Sequence, residues 1–318
     1  MARVVVVHGI GQEYLGRRSL RDPIAAALAD GVEIAVAAGD VGGPAPAPDD
    51  IDVAFYGDVF RAPGTKGAQP APRSAADLAD PYEQALLEAW AAAAAPDPTK
   101  ADSDLTKAPT PRTLQRAMNA LLRSPFLPGP VAERFLLGVL RQVRRYFTED
   151  AVRARAAEAV AARIGPDTTV LVGHSLGSVV AYETLCTHPE WPVRTLVTMG
   201  SPLGMPSLVF DRLRPAPAAG CGQWPGGLER WTNLADRHDV VASVKELADL
   251  FSPRHPSLPP TGHATAAAVG RIAEAAVGAS RPVLRDVPVD NGWKVHDLLR
   301  HLTARESGAA IGEGLVAG

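Results

Sequence analysis

The stretch TTVLVGHSLGSVVAYETL, residues 168–185, restricts the fold of this chain more than any other. TTVLV is a β-branched, apolar run that suits a buried strand, and LGSVVAYETL carries apolar residues at helical spacing. A strand that runs straight into a helix is the start of a βαβ unit, the building block of parallel sheets. Between the two stands Ser175, with Gly173 two residues before it and Gly177 two residues after. A serine oxygen that must be reached by both a base and a substrate has to stand clear of its own backbone. A sharp strand-to-helix turn achieves this, and glycines on either side relieve the crowding it creates. The helix starting at Leu176 also aims its first N–H groups, and the positive end of its dipole, at any negative charge formed there. GxSxG alone recurs by chance; the strand before it and the helix after it make it informative.

Elsewhere, strand-like runs alternate with helical ones. Strands are expected at 4–7, 51–56, 169–172, 195–199, 231–234 and 283–289, and helices at 17–30, 131–163, 176–187 and 240–250. This alternation predicts an α/β fold: a mostly parallel central sheet flanked by helices. Two stretches break the rhythm. Residues 57–130 interleave Pro-rich loops such as RAPGTKGAQPAPRS with short helix candidates at 75–94 and 112–122, and residues 201–227 form a second irregular insert. Both exceed an ordinary connection, and both leave from the carboxyl edge of the sheet, where open α/β proteins bind ligands. The expected organisation is a core of residues 1–56 and 131–318, a helical cap or lid over 57–130, and a second loop insert over 201–227.

Composition removes several partner classes. A formal net charge of −3 gives no electrostatic reason to bind nucleic acid or an anionic membrane surface. No window offers the roughly 18 uninterrupted apolar residues of a membrane span, so no integral membrane association is expected. The opening MARVVVVHGIG lacks the layout of a signal peptide, which points to a cytoplasmic chain. Two cysteines, Cys186 and Cys221, are too few for a disulfide framework. No HExxH, HxH or clustered His/Asp spacing suggests a metal, and no GxxxxGK[ST] or full dinucleotide glycine motif suggests a nucleotide. No cofactor is expected.

A serine is a poor nucleophile without a base, and the base needs an acid to orient it. After the strand WTNL, the segment ADRHDVVAS offers Asp236 and Asp239. After the last strand, VHDLLRHL offers His296. His301 is the rival base, but it falls well inside the terminal helix. His8 reads as a packed structural residue, and His174, beside the serine, is given no chemical role.

The order serine, acid, histidine along alternating strands and helices resembles that of the α/β-hydrolase superfamily, in particular serine hydrolases of the lipase and esterase kind. The resemblance covers the core strands and all three positions, and leaves the two inserts unmatched. It implies Ser175 as nucleophile, His296 as base and Asp239 as acid. Similar enzymes carry the acid in a DxV setting before a helix, and Asp239 stands in DVV; Asp236 is the alternative. It also implies that HGIG after the first strand lends the backbone N–H of Ile10 to an oxyanion hole shared with that of Leu176, and that GSPLG, residues 200–204, borders an acyl pocket. The expected activity is cleavage of an ester, thioester or amide through an acyl-serine intermediate, on a small lipophilic acyl substrate and without a cofactor. Two other readings remain open: an acyltransferase or thioesterase of a biosynthetic pathway using the same triad, and a hydrolase-like binding module without activity.

Overall fold

Six strands form one sheet: β1 (Val4–Val7), β2 (Ile51–Ala54), β3 (Val170–His174), β4 (Thr195–Met199), β5 (Arg230–Asp236) and β6 (Val283–Val289). Their order is β2-β1-β3-β4-β5-β6, and every neighbouring pair is parallel. The fold is a computed structural model that describes residues 2–61, 74–95, 109–124, 132–252 and 282–317. Parts of the 57–130 insert, together with His255 and His263, lie outside the described residues.

The inner strands β1, β3 and β4 are mostly apolar because both faces of a parallel sheet are covered, whereas β5 and β6 also carry Arg230, Asn233, Arg285 and Asp286. Alternation sends Val5, Val7, Leu171, Leu196 and Trp231 to one face and Val4, Val6, Val170, Val172, Val197 and Met199 to the other. The first face is covered by α4 (Ala132–Thr148), α5 (Asp150–Ala161) and α6 (Leu176–Thr187), and its core extends into α2 (Pro81–Ala93) and α3 (Pro111–Leu122). The second packs against α1 (Arg17–Ala37), α8 (Leu298–Thr303) and α9 (Arg305–Ala317). One turn of helix, α7 (Ala248–Phe251), precedes β6 in the chain. Strand order reverses between β1 and β3, which opens a crevice at their carboxyl ends, the position where open α/β sheets hold ligands.

Two helix expectations need correction. The continuous helix over 131–163 is two helices, broken at Glu149, whose φ of −114° and ψ of 100° are extended. The Glu149 carbonyl accepts from the N–H groups of Val152 and Arg153, which starts α5 afresh, while Arg145 Nε holds its carboxylate at 3.0 Å. The helix over 240–250 shrinks to the single turn of α7. Side chains take the N–H groups that a helix would have used. Asp239 Oδ1 accepts from Val241 at 2.9 Å, and the Asp286 carboxylate on β6 accepts from Leu247 and Ala248, each at 2.9 Å.

The two inserts meet. Asp80 caps α2 by accepting from Tyr82 and Glu83 N–H, and Tyr82 then donates its hydroxyl to the Leu208 carbonyl at 2.8 Å. Arg144 of α4 donates to Glu83 at 2.9 Å, so α2 is tied both to α4 and to the 201–227 segment.

Candidate active site

Ser175 stands between β3 and α6 with φ 54° and ψ −130°, a left-handed backbone that a non-glycine residue adopts at a cost of about 1–3 kcal/mol. The flanking glycines are required by proximity. A Cβ on Gly177 would sit 2.2 Å from the Val7 carbonyl oxygen, and one on Gly173 would sit 2.6 Å from the Ser178 Cα. The turn is held from behind: Ser175 N–H donates to the Met199 carbonyl at 2.9 Å, and Ser178 Oγ donates to the Ser175 carbonyl at 2.6 Å. Ser178 Oγ also lies 2.7 Å from Ser201 Oγ, which couples the turn to the GSPLG segment.

His296, between β6 and α8, brings Nε2 to 2.9 Å from Ser175 Oγ and Nδ1 to 2.6 Å from Asp239 Oδ2. Asp239 is fully buried. Burial alone would raise its pKa, but the adjacent His296, with a hydrogen bond to it, holds the carboxyl below its ordinary value. The three side chains thus form one chain of contacts across loops that follow β3, β5 and β6.

Asp236 is buried and faces elsewhere. Its carboxylate accepts from His238 N–H and Asn291 N–H, both at 2.8 Å, and Asn291 in turn donates to the Val295 carbonyl at 3.1 Å. It fastens the loop that carries His296 to the end of β5. His301 is fully buried in α8 and neither ring nitrogen has a hydrogen-bond partner among the described residues; burial pushes its pKa down to about 4. It does not reach Ser175.

Ile10 and Leu176 both line the space around Ser175. Among the described residues, neither backbone N–H has an acceptor within the protein. The neighbouring Gly11 N–H donates to Gln142 of α4 at 3.0 Å, fixing the loop after β1. His8 supports the same loop: Nε2 accepts from Tyr56 N–H at 3.1 Å, Nδ1 faces the Gly9 carbonyl, and Tyr56 donates its hydroxyl to the His8 carbonyl at 2.7 Å. Burial lowers the His8 pKa to about 4, so this ring is neutral.

Several supports escaped sequence reading. Gly200, with φ 54°, faces the His296–Asp239 contact so closely that a Cβ would lie 2.8 Å from both Asp239 Oδ2 and His296 Nδ1. His174 Nε2 donates to the His296 carbonyl at 3.1 Å. The GSPLG string was visible as a pocket border, but nothing local marks Gly200 as the clearance for a contact made by residues 39 and 96 positions away.

Ser175 opens into a cavity of about 540 Å³ whose walls are mostly apolar. Leu86 and Trp90 come from α2, Leu136 and Val139 from α4, and Met205 and Val209 from the second insert. Leu121 of α3 is buried but does not line it. Among the described residues, no cluster of His, Cys, Asp or Glu could hold a metal ion, and no helix is long and apolar enough to cross a membrane.

Residues 139–215 match the family described as PGAP1-like alpha/beta domain. That family is a lipase/esterase-like group of α/β hydrolases, and the match, over about a quarter of the chain, supports the superfamily and a hydrolase-type fold. The matched stretch runs from within α4 to the middle of the second insert and includes Ser175, but neither Asp239 nor His296. No curated protein and no solved structure matches the chain significantly.

Proposed function

We propose that this chain is a serine hydrolase that cleaves a carboxylic ester through an acyl-serine intermediate. The observation that carries this reading is the pair of contacts at His296, 2.9 Å to Ser175 Oγ and 2.6 Å to Asp239 Oδ2. His296 Nε2 takes the proton of Ser175 as its oxygen attacks the acyl carbon, then returns it to the departing alcohol oxygen; a water repeats the cycle to release the acid. Asp239 accepts from Nδ1–H, keeping Nε2 free to act as base and stabilising the imidazolium that forms. The N–H groups of Ile10 and Leu176 receive the oxyanion, where each such donor is worth about 10²–10³ in rate. No step requires a cofactor.

The apolar cavity favours a lipophilic acyl group, because a chain laid along Leu86, Trp90, Leu136 and Val139 gains about 0.8 kcal/mol per buried methylene. In this reading α2, tied to α4 and to the Leu208 carbonyl, is the cover of the acyl site, and the 57–130 and 201–227 inserts build a cap over a core made by the rest of the chain. The test is labelling by a fluorophosphonate probe, which reacts only with an activated serine. Wild type should label and turn over p-nitrophenyl esters, and Ser175→Ala should do neither, with kcat lower by about 10⁴–10⁶. Labelling that persists in Ser175→Ala would refute the mechanism, and absence of labelling in the wild type would leave a binding module.

A further inference from the structure

We infer that His174 is a positioning residue whose Nε2–H sets the distance between the base and the nucleophile. The inference rests on the hydrolase reading of Ser175, Asp239 and His296. His174 is the last residue of β3, is buried, and stands next to Ser175 in the chain. Its Nε2 lies 3.1 Å from the carbonyl oxygen of His296. A carbonyl oxygen only accepts, so Nε2 carries the proton, and in a neutral ring Nδ1 then keeps its lone pair. Burial, with His296 and His301 nearby, holds the His174 pKa well below its ordinary value, which keeps the ring neutral. The contact closes a circuit. Ser175 Oγ meets the His296 side chain at 2.9 Å, and the side chain of the residue before Ser175 holds the His296 main chain.

The two ends of this contact are not equally fixed, and that lets it set a distance. His174 belongs to the sheet, where it pairs with Met199 of β4, and Ser175 N–H donates to the Met199 carbonyl. His296 stands in the loop between β6 and α8. Asp236 fastens the start of that loop to β5 through Asn291 N–H at 2.8 Å, and His174 fastens its end to β3, the strand that bears the nucleophile. The His174 ring is itself wedged. Its centroid lies 4.8 Å from that of His296 and 5.8 Å from that of His301, and a Cβ on Gly9 would stand 3.1 Å from its Nδ1. His301 is fully buried, and neither of its ring nitrogens has a hydrogen-bond partner among the described residues. It therefore backs His174 as a neutral ring and leaves Nε2–H to the His296 carbonyl. A side chain with so little freedom holds a backbone oxygen firmly, and a 1 Å misplacement of a reacting group costs on the order of 10² in rate.

The experiment reads the two ring nitrogens separately in the full chain, with p-nitrophenyl acetate as substrate. His174→Gln keeps an N–H donor near the place of Nε2, His174→Asn keeps polar atoms only near Nδ1, and His174→Phe keeps the ring without either nitrogen. The Asn and Phe variants should lose kcat on the order of 10²-fold with KM near wild type, and Gln should restore the rate to within about tenfold. A second readout needs no variant to fold: the imidazole ¹⁵N shifts of wild-type His174, assigned through its backbone, should show a neutral ring protonated at Nε2 at pH 7. A ring protonated at Nδ1, a Gln variant as slow as Phe, or an Asn variant as fast as wild type would overturn the inference. A rise in KM at unchanged kcat in Asn and Phe would overturn it in favour of a substrate contact. Fluorophosphonate labelling of the wild type reports separately on the hydrolase reading. A wild type that does not label refutes hydrolysis, and with it the positioning of a base. A wild type that labels, with Asn and Phe variants at full kcat, refutes the positioning role alone.

Discussion

Gly200→Ala should damage the proposed chemistry far more than it damages the fold. The added Cβ would stand 2.8 Å from Asp239 Oδ2 and from His296 Nδ1, and 2.9 Å from His296 Cε1. Ordinary contact begins near 3.4 Å, so something must give by about 0.6 Å. The backbone is poorly placed to yield, because Gly200 N–H donates to the Leu234 carbonyl at 2.9 Å inside the β4–β5 edge and Ser201 is coupled to Ser178. The His296–Asp239 contact at 2.6 Å is therefore what opens. Losing the acid's influence completely costs about 10⁴ in kcat, and a misplacement below 1 Å a part of that, so kcat should fall about 10²–10³ while KM stays near wild type. Stability should fall by about 1–2 kcal/mol, the cost of an alanine held at positive φ. Gly39→Ala separates the two effects, because Gly39 has φ 80° with nothing within 4 Å of the added methyl. It should lose similar stability in urea titration and keep its full rate of ester turnover. A folded Gly200→Ala with kcat within tenfold of wild type would refute the view that the His296–Asp239 contact sets the rate.

Asp239→Asn should lower kcat by about 10⁴, because an amide that donates to Nδ1 holds the imidazole in the wrong tautomer. Asp236→Asn should instead cost about 1–3 kcal/mol of stability by setting an amide N–H₂ against the backbone donors of His238 or Asn291, with kcat within tenfold; reversed outcomes in esterase assays would exchange the two roles. Unfolded chain takes up a proton at His301 below its ordinary pKa of 6.5, whereas the folded chain resists until about 4, so stability should decline as pH falls through that window, by up to about 3 kcal/mol from this residue. Urea midpoints of His301→Leu should show a shallower slope between those pH values, and an unchanged slope would rule the residue out. Leu86→Trp should shift preference among p-nitrophenyl esters to shorter acyl chains by filling the α2 side of the cavity; an unchanged chain-length profile would place the acyl group elsewhere.

What could be read in the sequence was what is local. Val4–Val7 and Thr195–Met199 are β-branched or apolar runs, Val283–Val289 mixes valines with Arg285, Asp286 and Pro288, and all three are strands from end to end in the structure. Ser175, Asp239 and His296 could be singled out because each follows a strand at the carboxyl edge, where a parallel sheet gathers loops that are distant in the chain. The break at Glu149 carries no glycine or proline, so helical periodicity passes through it unmarked. The 240–250 segment has apolar residues at helical spacing, yet Asp239 and Asp286 take its N–H groups from outside, and a contact from β6 leaves no trace in that window.

The cavity wall follows the same logic. Leu136 and Val139 belong to a helix assigned to the core by its pattern, and they serve both as core and as lining. An apolar side chain against a neighbour and one against an empty cavity look identical in sequence, since both are simply hidden from water. The difference lies in whether another segment fills the facing volume. Here Gln142 draws α4 onto the loop after β1 through Gly11, and Arg144 draws α2 onto α4 through Glu83, so the helices are pinned at polar points and stand apart over Ser175. If those pins set the cavity, then Gln142→Leu, which keeps the volume but removes the acceptor for Gly11 N–H, should let the loop carrying Ile10 relax. Its expected signature is a loss of kcat of about tenfold or more, through the oxyanion donor, with little change in chain-length preference. A variant that changed chain-length preference and kept kcat would show that Gln142 shapes the pocket and does not hold the loop.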